Sequence, residues 1–135
     1  MDYYTLAEEE SKAIEVLYNA GQYRHVVTHS CMAIEYFLKT KLVQIDPNSE
    51  YLYGHDIINI FKTVQEKYES SRDLHSVVRI CRKYHNESRY PTTGTEAFTK
   101  EFAEQFIKYV GDTKYYIDTE CPATLEDLVN RFKKE

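Results

Sequence analysis

The chain has 135 residues, enough for one domain that buries roughly two-thirds of the surface its unfolded form exposes. Its formal charge of −5 excludes a general affinity for nucleic acid or anionic membrane, so any polyanion site must be local. Four glycines and three prolines are too few for a many-turned all-β fold, and thirteen tyrosines with no tryptophan suit helix edges, a groove or a subunit interface.

The periodicity is helical nearly throughout. Thr5 and Glu8 read as a capping box. Leu6, Ala13, Ile14 and Leu17 then share one face until Gly21 stops the first helix. The second helix is predicted over about Tyr23 to Gln44, with Val27, Ser30, Cys31, Ile34, Phe37, Leu38 and Leu42 as its stripe. Glu35 lies beside that stripe, as a half-buried carboxylate paired with a cation or as a surface residue. "DPNSE" at 46–50 is turn chemistry. A third helix follows "GHD", with Ile57, Ile60, Phe61, Val64 and Tyr68 in register.

The fourth helix is predicted to start near Ser70 or Ser71, with Ser70 and Asp73 as the N-cap pair, and to end by Tyr90 because Pro91 follows. The fifth spans about Thr95 to Asp118, until Cys121-Pro122 breaks it. A short last helix, capped by Thr124, carries Leu125, Leu128, Val129 and Phe132. Short connections make sequential helices antiparallel. The expected fold is all-α: an up-and-down antiparallel helical bundle in a single domain over residues 1–135.

Cys31, Cys81 and Cys121 are odd in number, far apart and without metal spacing, which implies a reducing compartment and no disulfide framework. The acidic start "MDYYTLAEEE" lacks the apolar core of a signal peptide, and no apolar run approaches the ~20 residues that span a bilayer. The expected location is cytoplasmic, with no membrane partner. Phosphate-loop, dinucleotide, zinc-protease and nucleophile-elbow motifs are absent from the sequence, and no cofactor is expected. His25 and His29 are spaced for a metal, but no acidic or cysteine partner follows at sensible spacing, so no metal site is assigned.

The stretch "RICRKYHNESRYP" from Arg79 to Pro91 concentrates three arginines, a lysine, a histidine and an asparagine. On a helical wheel Leu74, Val77, Val78, Cys81 and Tyr84 form the apolar stripe, and His85 falls inside it. Arg89, Arg82, His75, Asn86 and Arg79 share one flank within about 80°. That flank is either solvated, with nearby glutamates as counter-charge, or a site for phosphate or an RNA backbone. Arginine suits the second role because its planar fork bonds phosphate bidentately and stays charged. His85 is either a satisfied interior histidine or an acid–base group.

Four segments in order resemble the HEPN domain family, small α-helical bundles linked to nucleotides and RNA. "HSCMAIEYFLKTKL" is similar to the family's H-x-x-x-A-x-E-x-x-L-K-A stretch, with Ala33, Glu35, Leu38 and Lys39 in the matching places. "GHDI" at 54–57 looks like its T-H-D-L start of the third helix. "ESRYP" at 87–91 looks like the A-R-Y-P element of standalone members, and "TEAFTKEFAEQFIKYV" resembles the closing helix.

The resemblance implies two kinds of activity. One branch, of toxin–antitoxin type, cleaves RNA without metal, through an Arg and a His four to six residues later at a homodimer interface. Arg79 and His85 fit that spacing and would be the catalytic pair, although about 120° separates them on one helix. The histidine would assist proton transfer at the 2′-hydroxyl and the arginine would stabilise charge on the phosphate. Ile80 and Glu87 depart from that branch, which usually carries a polar residue after the Arg and often a Tyr two residues after the His. The "SRYP" ending looks more like the other branch, encoded beside a minimal nucleotidyltransferase and thought to bind nucleotide or partner. It implies a nucleotide- or nucleic-acid-binding homodimer with Arg82, Asn86, Arg89, Tyr90 and His75 as ligand-binding residues. A third reading is a structural protein that assembles through its tyrosine-rich surface.

Overall fold

The computed structural model describes residues 2–87, 98–122 and 129. Among them are five helices and no strand: α1 (Tyr3–Asn19), α2 (Tyr23–Ile45), α3 (Ile57–Lys67), α4 (Leu74–Glu87) and α5 (Lys100–Tyr115). A 3-10 turn (Glu50–Tyr53) precedes α3, and a π-helical turn (Tyr116–Glu120) extends α5. The all-α bundle expected from the periodicity is the fold observed.

Local chemistry sets the ends of these helices, in several places differently from the sequence expectation. α1 begins before Thr5, because the Asp2 carboxylate accepts from the Thr5 N–H at 2.7 Å and takes the cap position. It stops at Gly21, whose φ of 73° is open to glycine. There the Gln22 N–H reaches Leu17 O at 2.9 Å and the Gly21 N–H reaches Tyr18 O at 3.0 Å, the paired bonds of a Schellman close. α3 is capped by Asp56, which accepts from the Asn59 N–H.

α4 begins at Leu74, later than Ser70 or Ser71. Asp73 alone caps it, accepting from the Ser76 N–H at 3.2 Å and the Ser76 hydroxyl at 2.7 Å. Ser70 instead bonds the backbone of Arg72 and shapes the preceding turn. α5 begins at Lys100 behind the Thr99 hydroxyl cap. The predicted start at Thr95 and the predicted helix after Pro122 lie outside the described residues, apart from Val129.

α2 is the axis of the bundle and contacts every other helix. Its predicted stripe is buried throughout, and so are Val26, Ala33, Glu35 and Lys39 on its other sides. Aromatic pairs fix the directions of the helices. Tyr3 stacks on Tyr36 and Tyr18 meets Tyr23, so α1 runs antiparallel to α2. Arg72 covers the Tyr115 ring while Tyr84 packs edge-on against Phe102, so α4 runs antiparallel to α5. The π turn at the end of α5 carries Tyr116 into the core, where its hydroxyl donates to Tyr68 O.

Candidate functional site

A cleft of about 320 Å³ opens between α2, the start of α3 and α4. Cys31 and Glu35 come from α2, His55 and Ile57 from the start of α3, and Cys81, Arg82 and His85 from α4. The volume is at the lower end of the range for small-ligand sites.

Glu35 is the anchor. It is 2% exposed, and a carboxylate buried that far needs compensation. Lys39, one turn on, places its ammonium 3.2 Å away and is itself buried. His55 Nδ1 shares the same carboxylate, 2.9 Å from Oε2 and 3.2 Å from Oε1. Lys39 also donates to Gly54 O at 2.8 Å, so one ion pair holds the chain that carries His55.

That arrangement determines what His55 can do. An ionised carboxylate only accepts, so Nδ1 supplies the hydrogen. In the neutral ring Nε2 then keeps its lone pair, and the imidazole is held in one orientation. His85 packs beside it, with ring centroids 5.0 Å apart and planes inclined by 37°. Arg82 is exposed on the same helix as His85. Because Lys39 offsets Glu35, the cleft presents one fixed cation and two imidazoles. Such a set accepts an anion and can donate or remove protons next to it.

Behind these groups Cys31 and Cys81 are both free and buried. A hydrogen bond to Cys31, with burial added, holds the Cys81 thiol well above its ordinary range. A thiol so placed stays protonated and behaves as packing.

Of the sequence-predicted residues, the structure brings Arg82 and His85 to the cleft. Arg79 is exposed and is not among the lining residues. It lies nearer the start of α4, where it and His75 help to lower the Asp73 carboxyl behind the larger effect of the Ser76 hydrogen bonds. His75 packs edge-on against Phe61 at 5.1 Å between ring centroids. Asn86 is helical, in the last turn of α4, but its side chain lies outside the described residues, as do Arg89 and Tyr90. His29 pairs with Glu10 of α1. Among the described residues no group of three or more His, Cys, Asp or Glu could hold a metal.

Sequence reasoning missed His55 as a site residue. "GHD" marked only the start of a helix, and nothing in its spacing joins it to a carboxylate twenty residues earlier. The available signal was that the Glu35 and "GHD" segments both matched the same family pattern.

No described helix is long and apolar enough to cross a membrane. No curated protein matches the chain. No solved structure matches it either. Residues 1–112 match the HEPN domain, as the four segments and the bundle around Glu35 and His55 imply, and the chain belongs to the HEPN domain family, generally linked to nucleotides and RNA.

Proposed function

We propose that this HEPN protein binds the phosphate of a nucleotide or of RNA in the cleft formed by Arg82, His55 and His85. The observation that carries this reading is the convergence of those three side chains above a carboxylate already neutralised by Lys39. The guanidinium offers a fork to phosphate oxygens, and the imidazoles offer further N–H donors when protonated. Asn86, Arg89 and Tyr90 follow on the same stretch of sequence and would add to the site. The protein acts as a homodimer beside a minimal nucleotidyltransferase, a role supported by the "ESRYP" segment. The test is calorimetric titration of ATP and of a short single-stranded RNA into wild type and Arg82→Ala. Binding weakened about tenfold in the variant supports the site, and binding at the wild-type affinity refutes it.

A second reading, metal-independent RNA cleavage, draws support from the Glu35–His55 pair facing His85. Two imidazoles in one cleft can divide the work, one taking the 2′-hydroxyl proton and the other protonating the leaving 5′-oxygen. Arg82 would stabilise the phosphate in the place first assigned to Arg79. End-labelled RNA in excess EDTA, with His55→Ala and His85→Ala alongside, decides it. Cleavage by wild type alone establishes the reaction, and intact RNA leaves the binding role.

A further inference from the structure

Tyr53 is the most exposed large hydrophobic side chain among the described residues, at 86%. The backbone beneath it is well held. It ends the 3-10 turn that Ser49 caps by accepting from the Tyr51 N–H, and its neighbour Leu52 is buried. Gly54 follows in an extended conformation, with φ −156° and ψ −159°, and its carbonyl is clamped by Lys39. His55 comes next, tied to Glu35.

One residue therefore separates an exposed phenol ring from the imidazole of the cleft, and their Cα atoms are at most about 7 Å apart. Both are anchored by the same buried ion pair. On α1, the Tyr3 phenol is raised above its ordinary pKa, first by burial and then by the electrostatic effect of Tyr53 and Glu35. Lys39 stands over the Tyr3 ring, 5.7 Å from its centroid. Tyr53 does not itself line the cleft; two residues before His55, it sets an open aromatic ring beside the charged groups.

We propose that Tyr53 is the base-stacking element of the phosphate cleft, so that the site takes a nucleoside phosphate with its base on Tyr53 and its phosphate at Arg82, His55 and His85. This rests on the phosphate-binding reading above and adds the ligand's other half. An aromatic ring held on a rigid turn loses little freedom when a base stacks on it, and every base offers a π-face to such a ring. A purine, with the larger face, is preferred to a pyrimidine. A free nucleotide and the 5′ end of an RNA share this chemistry. Dinucleotides with a 5′-phosphate separate them: affinity equal to the mononucleotide identifies an RNA end, and weaker affinity identifies a free nucleotide.

The test compares AMP with ribose 5-phosphate by calorimetry on wild type, Tyr53→Ala, Tyr53→Phe and Arg82→Ala. Stacking at the low end of its usual strength makes AMP bind about fivefold more tightly than ribose 5-phosphate to wild type. Tyr53→Ala should remove that advantage and leave ribose 5-phosphate binding unchanged, and Tyr53→Phe should keep it. Circular dichroism verifies that each variant is folded. If ribose 5-phosphate binds through Arg82 but the AMP advantage is absent, or survives in Tyr53→Ala, the stacking role is overturned and the phosphate site stands. If neither ligand binds wild type, or Arg82→Ala binds both as wild type does, the phosphate reading falls and the stacking role falls with it.

Discussion

His55 Nδ1 lies 2.9 Å from Glu35 Oε2 across twenty residues of sequence. That bond joins the middle of α2 to the start of α3 and gives the imidazole a fixed tautomer. With Lys39 on the same oxygen, Glu35 is both the most enclosed charge of the cleft and the organiser of its mouth.

Removing Glu35 should be costly. In Glu35→Ala the buried Lys39 ammonium loses its counter-charge, and such breaks cost about 3–5 kcal/mol. Glu35→Leu combined with Lys39→Met should recover most of the loss, because two apolar side chains need no compensation. Urea unfolding of the three proteins measures this. A single Glu35→Ala that unfolds at the wild-type midpoint would show that the pair adds nothing.

The arginines of α4 should separate by position. Arg82→Ala should weaken phosphate binding about tenfold, the loss of one charge-assisted hydrogen bond. Arg79→Ala and His75→Ala should leave it within twofold, since neither residue lines the cleft. Titration with ribose 5-phosphate at fixed ionic strength reads all three. Equal losses in Arg79→Ala and Arg82→Ala would mean that the whole flank, rather than the cleft, holds the ligand.

Tyr116 gives a pH-dependent prediction. Burial pushes its phenol well above the ordinary value of 10.0, and its hydroxyl donates to Tyr68 O. Below pH 10 both the folded and unfolded phenols are protonated, and Tyr116→Phe should cost about 1 kcal/mol for the lost hydrogen bond. Above pH 10 the unfolded phenol releases its proton while the folded one retains it, so wild-type stability falls. The phenylalanine variant lacks that loss, and the gap between the two should narrow from pH 9 to pH 11. Denaturant midpoints across about that range test the sign.

Tyr18 should titrate late for a different reason. Its hydroxyl donates to Glu104 of α5, and that bond, more than any burial, lifts the phenol to about 12. Glu104→Gln removes the charged acceptor and should bring the phenol back toward 10.0. An NMR titration of the Tyr18 ring resonances follows it, and an unmoved midpoint in the variant would refute the Tyr18–Glu104 contact between α1 and α5.

The sequence by itself determined the class of fold and the inner faces of α2, α3 and α4. Val27, Cys31, Ile34, Phe37, Leu38 and Leu42 repeat at helical spacing, and that spacing alone assigns them to one buried stripe. It was less reliable at helix ends, where Asp2 and Asp73 prevailed over equally plausible neighbours. A cap is chosen by which oxygen reaches an unpaired N–H, and several side chains in a row can satisfy the pattern. Arg82 and His85 were legible as candidates because they share a helix. Only the tertiary structure decided that His55 joins them, that Glu35 is buried rather than solvated, and that Arg79 stays outside. Those outcomes depend on how α2, α3 and α4 pack. Periodicity reports which face of a helix is apolar, but it carries no information about which residues of another helix come to lie against that face.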